Sequence, residues 1–116
     1  MELPLILEDH GDLCLFESTA TLERYVEAAY LDEYRVYDAT GNLFRLAAST
    51  SRASSGRVKS SRRSVRIVHE GAVDNRELEL AELLRGFLAR VTALDFRGME
   101  LPALLVEMKR RVGVTI

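Results

Sequence analysis

Two short stretches of this chain, residues 3–7 and 13–16, are apolar at almost every position and flank the polar loop Glu8-Asp9-His10-Gly11-Asp12. Runs of this length around a Gly-containing loop read as a β-hairpin. A strand with one wet face alternates apolar and polar residues; these two do not, so both need cover on both faces. Pro4 fits only near a strand start or on a sheet edge. The hairpin therefore demands layers above and below it, and the rest of the chain has to supply them.

Ser18-Thr19-Ala20-Thr21 opens a helix with Ser18 as the N-cap. Leu22, Tyr25, Val26, Ala29 and Tyr30 recur at helical spacing, with Tyr25 as a core residue, and predict an amphipathic helix of about three turns. A second hairpin follows: Tyr34-Arg35-Val36-Tyr37-Asp38, a turn at Ala39-Thr40-Gly41-Asn42, and Leu43-Phe44-Arg45-Leu46-Ala47-Ala48. Gly41 and Asn42 tolerate the positive φ such turns need. Val65-Arg66-Ile67-Val68-His69 reads as a fifth strand. Asp74-Asn75-Arg76-Glu77 resembles a capping box ahead of a long helix with Leu80, Leu83, Leu84, Phe87, Leu88, Val91 and Leu94 on its apolar face. A last helix begins at Pro102, buries Leu104, Leu105, Met108 and Val112, and stops at Gly113. The order β-β-α-β-β-β-α-α, with no βαβ alternation, defines an α+β fold: a mostly antiparallel five-stranded sheet with helices packed on it.

At 116 residues the chain is one domain, 1–116, long enough to bury a core without metals or disulfides. Its single cysteine, Cys14, excludes an internal disulfide and suits a reducing compartment. No apolar run is long enough for a membrane-spanning helix, and residues 1–7 lack the basic and apolar regions of a signal peptide, so a cytoplasmic location is expected.

Charge is segregated along the chain. Residues 1–48 hold ten acids against three arginines, residues 49–68 hold six bases and no acid, and residues 69–116 hold eight acids and seven bases. The basic stretch, a Ser/Arg-rich loop or β-arm at about 49–64, has almost nothing to bury. Arg57, Lys59, Arg62, Arg63 and Arg66 form its patch. Without an aromatic residue to stack on a base, it is poorly suited to single strands, whereas a β-ribbon gripping phosphate stays open. All four tyrosines fall in residues 25–37, among Glu23, Glu27, Asp32, Glu33 and Asp38. Tyrosine is favoured at interfaces, so this is an acidic, aromatic surface suited to a basic partner. Tyr34 and Tyr37 point to opposite faces of a strand, so at least one needs cover from outside a single core layer.

Catalytic spacing is missing. The sequence has no Walker glycine loop, no GxSxG elbow, no CxxC and no HExxH. The 8–12 loop lacks calcium-loop spacing, His10 and Cys14 lack an orienting third group, and His69 and Glu70 point to opposite faces. No cofactor is implied.

The stretch Gly11-Asp12-Leu13 through Phe16-Glu17-Ser18, with Leu22-Glu23-Arg24-Tyr25-Val26-Glu27 and Tyr34-Arg35-Val36-Tyr37-Asp38-Ala39-Thr40-Gly41, resembles small uncharacterised bacterial proteins. Some of these are similar to immunity proteins encoded beside polymorphic or secreted toxins. The resemblance covers about the first third of the chain. It implies a binder that neutralises a cognate effector by blocking a site or a substrate path, and it transfers no functional residue. The sequence thus reads as a non-catalytic interaction protein presenting Glu27, Tyr30, Asp32, Glu33 and Tyr34 to a basic protein partner. The alternative is nucleic-acid binding through the 52–66 segment; a third reading is a small metal- or thiol-dependent enzyme around His10 and Cys14. The basic segment could also meet the acidic half of the same molecule, or of a second copy in a homodimer.

Overall fold

The computed structural model describes residues 1–26, 28–50, 63–68 and 74–115, the side chains of 28–30, 49–50 and 63–64 excepted. Strands β1 (Leu5–Asp9) and β2 (Asp12–Phe16) form the first hairpin. His10 and Gly11 close it with φ of 51° and 92°, the paired left-handed conformation whose twist matches the flanking strands. Pro4 lies just before β1, where its missing N–H breaks no ladder bond.

Helix α1 (Thr19–Tyr25) starts where expected, with the Ser18 hydroxyl accepting from the Thr21 amide at 3.1 Å. It is shorter than its periodicity predicts. Val26 is extended (φ −77°, ψ 145°) and ends it, and a 3-10 helix (Ala28–Glu33) leads into β3 (Tyr34–Tyr37). Ending the helix there lets Val26 turn into the core and leaves Tyr25, expected inside, 54% exposed.

The chain continues through β4 (Asn42–Thr50), β5 (Arg63–Val68), the short β6 (Asp74–Asn75), α2 (Glu77–Thr92) and α3 (Leu101–Arg111). The sheet runs β2-β1-β3-β4-β5, antiparallel throughout, and β6 pairs with the start of β4. This is the α+β architecture the element order requires. The capping box does not form as expected: Asp74 and Asn75 are drawn into β6, opposite Leu43 and Asn42. Arg76 precedes α2 without a side-chain cap, and Asn75 Oδ1 accepts from the Glu77 amide at 3.3 Å.

Both faces of the β1–β2–β3 region are covered, as its apolar strands demand. Ile6, Leu13, Leu15 and Tyr37 pack with Leu80, Leu84, Leu88, Leu104 and Met108 of α2 and α3. Leu5, Leu7, Phe16, Val36, Val65 and Ile67 pack on the opposite face with Leu22 and Val26. Tyr37 and Tyr34 join these two different cores, which resolves how both rings find cover. At the far ends of the core faces Val91, Leu94 and Val112, expected inside, are exposed; Thr92 ends α2 before Leu94, and Val112 lies past the last residue of α3.

The rims of the sheet are occupied too. On β5 the Ile67 amide donates to Glu23 Oε2 of α1 at 2.8 Å. On β2 the Thr115 amide donates to the Leu15 carbonyl at 2.8 Å, and the Glu17 amide to the Thr115 carbonyl at 3.1 Å.

The β3–β4 turn is organised by Asp38, buried to 1%. Its carboxylate accepts five hydrogen bonds, from the amides of Glu2, Thr40 and Asn42, the Thr40 hydroxyl and the Asn42 side chain. Burial alone raises a carboxyl, but these donors, led by the Thr40 hydroxyl, outweigh it and hold the Asp38 carboxyl below its ordinary value. Gly41 (φ 91°) follows and accepts from the Arg76 amide at 2.7 Å, seating the turn on the start of α2. Asn42, also read as a positive-φ position, is instead the first residue of β4.

Candidate functional site

The structure brings the two acidic stretches of the first half together. In the β1–β3 ladder Asp9 lies opposite Tyr34, which places the end of the 3-10 helix beside the β1–β2 turn. His10 joins them: its Nδ1 is 2.8 Å from Asp9 Oδ1 and its Nε2 is 3.4 Å from Glu33 Oε1. Asp12 lies directly opposite Asp9 across the hairpin. Asp9, Asp12, Asp32 and Glu33 thus gather at one end of the sheet, and no basic side chain but His10 lies within ion-pair distance of them among the described residues.

Beside this end lies a cleft of about 260 Å³, lined by Leu7, Asp9, Asp12, Leu13, Cys14, Tyr25 and Phe87. Alternation along the hairpin puts Asp9 on the face of Leu7, and Asp12 on the face of Cys14, so both carboxylates stand over an apolar floor. Tyr25 forms one wall. Its ring packs on Phe16 with centroids 5.1 Å apart at 57°. Tyr25 and the Cys14 thiol line this cleft together. Burial, opposed by Tyr25 and reinforced by the nearby Asp12 and Asp9 carboxylates, pushes the thiol's pKa up. Both ring nitrogens of His10 face carboxylates, those of Asp9 and Glu33.

A second cleft, about 240 Å³, lies between the hairpin turn and α2 and is lined by Gly11, Glu79, Glu82, Leu83, Gly86 and Arg90. Arg90 Nη2 donates to the Gly11 carbonyl across it at 2.8 Å. Further along α2, Glu79 accepts from the buried Tyr37 hydroxyl at 2.8 Å and from Arg35 Nη1 at 3.1 Å. Burial first, then the bond to Glu79, pushes the Tyr37 phenol up to about 12.

Of the residues singled out from sequence, Asp32 and Glu33 are exposed on the acidic end, and Tyr34 is half-buried against the second core. Glu27 and the side chain of Tyr30 lie outside the described residues, as do Arg57, Lys59, Arg62, His69 and Glu70. Arg63 sits opposite Thr50 at the end of the β4–β5 ladder, its side chain outside the described set. Arg66 is exposed opposite Ala47. Asp9, Asp12 and Tyr25 were missed as members of this surface. The first two read as turn residues and the third as core. Their clustering arises from the β1–β3 pairing and the early end of α1, neither of which local spacing encodes.

Comparison with known proteins finds no matching family model, no matching curated protein and no matching solved structure. Among the described residues no helix is long and apolar enough to cross a membrane.

Proposed function

We propose that this protein is a non-catalytic interaction module that recognises a basic protein partner through the acidic end formed by Asp9, Asp12, Asp32 and Glu33. One observation carries the reading: carboxylates from three separate segments converge beside an exposed tyrosine and an apolar cleft. Surface acids spread at random are simply solvated. Acids gathered on a rigid sheet end, next to apolar area, provide both steering and a buried anchor. Immunity-type neutralisation of a toxin or effector is the specific form we favour, since it needs only a stable scaffold with one charged binding face.

The test is binding to the product of the reading frame adjoining this protein's own gene, measured by calorimetry, with a toxicity assay on co-expression. Binding that weakens with added salt, and that Asp32→Lys with Glu33→Lys abolishes, is the expected result. Binding unaffected by the reversal, or none at all, overturns the reading.

A second reading rests on the β4–β5 ribbon. Arg45 and Arg66 are exposed on it, and neither makes an ion pair among the described residues. A two-stranded ribbon fits a major groove or grips phosphate. Affinity for duplex DNA that falls steeply with salt and drops in Arg45→Ala/Arg66→Ala favours it; flat salt dependence removes it.

A further inference from the structure

The hairpin contains an arrangement that costs stability and that the fold does not require. Asp9 and Asp12 are directly opposed on one face of an antiparallel pair, where like charges repel. His10 Nδ1 lies 2.8 Å from Asp9 Oδ1, whereas the Asp12 carboxylate makes no hydrogen bond or ion pair among the described residues. Both carboxylates border a cleft whose floor and walls are Leu7, Leu13, Cys14, Tyr25 and Phe87. At about 260 Å³ the cleft is below the size usual for small-molecule sites, but it admits one long side chain. The Tyr25 ring meets Phe16 at a tilt of 57°, and the residue remains 54% exposed.

These features match one group. A long apolar stem ending in a cation would cover the floor, and its head would neutralise the opposed carboxylates. A planar guanidinium does so better than an ammonium, because it forks onto a carboxylate while stacking on an aromatic face. We infer that this cleft is a specificity pocket that seats a single arginine side chain of the protein partner, with Asp12 and Asp9 as its charge partners and Tyr25 as its stacking wall. The inference rests on the interaction reading above and narrows it: Asp32 and Glu33 supply long-range attraction, and the cleft selects the residue type.

The experiment uses the full chain and blocked peptides of sequence Gly-Ser-Xaa-Ser-Gly, with arginine, lysine, citrulline or norleucine at the centre. Amide chemical shifts are followed during titration. The arginine peptide should shift Leu13, Cys14 and Tyr25, and bind about tenfold or more tightly than the citrulline peptide, the loss expected when a charge-assisted bond is removed. Asp12→Asn and Tyr25→Leu should each weaken arginine binding severalfold. Asp12→Asn should not lower the melting temperature, since it removes a repulsion. Equal affinity for arginine and citrulline, or no effect of Asp12→Asn, overturns the pocket. Lysine binding as tightly as arginine overturns the guanidinium assignment. Failure of the pocket is separable from failure of the interface: if Asp32→Lys/Glu33→Lys abolishes binding of the neighbouring gene product while Asp12→Asn does not, the interface stands and the pocket falls.

Discussion

Replacing Gly41 with alanine should be among the most damaging single-methyl additions in the molecule. The residue has φ 91°, and the added Cβ would lie 2.4 Å from Glu77 Cα and 2.7 Å from Glu77 N. The left-handed conformation alone costs a non-glycine residue about 1–2 kcal/mol. The collision is with helix backbone, so no rotamer change relieves it; turn and helix must move apart. That movement weakens the bond from the Arg76 amide, about 1 kcal/mol, and disturbs the packing of Leu43 under α2, about 1–2 kcal/mol more. The total is about 3–5 kcal/mol, a large share of the ~5–15 kcal/mol typical of a domain. Urea denaturation followed by circular dichroism measures it, with Gly98→Ala as the control. Gly98 has φ 84°, but nothing lies within 4 Å of its added Cβ, so that variant reports conformational cost alone. Gly41→Ala should lose at least about 2 kcal/mol more than Gly98→Ala. Equal losses in the two variants would refute the claim that the turn is wedged against α2.

Asp38→Ala removes the acceptor for three backbone amides and should cost about 3–4 kcal/mol at neutral pH by thermal denaturation, with Asp38→Asn losing roughly half of that. Because the folded Asp38 carboxyl lies below its ordinary 3.8, its contribution is whole above that value and vanishes as pH falls through the lower folded value. Both variants should therefore flatten the acid limb of the stability curve. Tyr37 works at the other extreme: its phenol is raised from 10.0 to about 12, so its contribution is whole below 10 and is lost as pH rises through 12. Tyr37→Phe keeps the ring and loses the bond to Glu79, costing about 1–2 kcal/mol at neutral pH, and its alkaline denaturation should be less steep. Gly86→Ala, at an exposed position inside α2 with nothing within 4 Å of the new methyl, should instead stabilise by up to about 1 kcal/mol, read as a higher urea midpoint.

Strands β1 to β5 and the two long helices were legible because each carries its own signal. The unbroken apolar runs of β1 and β2 announced a sheet covered on both faces, and the Ser18 cap marked where α1 begins. Where reading and structure part, a distant segment has overridden a local preference. Asp74 and Asn75 look like a helix cap by spacing, yet Asn75 spends its side chain on Asn42 Oδ1 and the Thr40 carbonyl as well as on the Glu77 amide. The periodicity through Tyr30 reads as one helix, yet Val26 leaves it because a buried place in the second core is available. The acidic end was half-visible. Asp32 and Glu33 could be named, whereas Asp9, Asp12 and Tyr25 join them only through the pairing of β1 with β3 and the contact of α1 with β2. Sequence distance hides such neighbours, since residues 9, 25 and 33 carry no common period.

The contacts made at the sheet's two margins bear on how this molecule behaves in a crowded solution. A carboxylate from a helix answers Ile67 on one side, and a length of chain near residue 115 answers Leu15 and Glu17 on the other. At these described positions the margin is already answered by the chain itself, which works against lateral growth of one copy on the next there. A visitor has to be accepted for the chemistry of its side groups rather than for lending a strand, which is a stricter form of acquaintance.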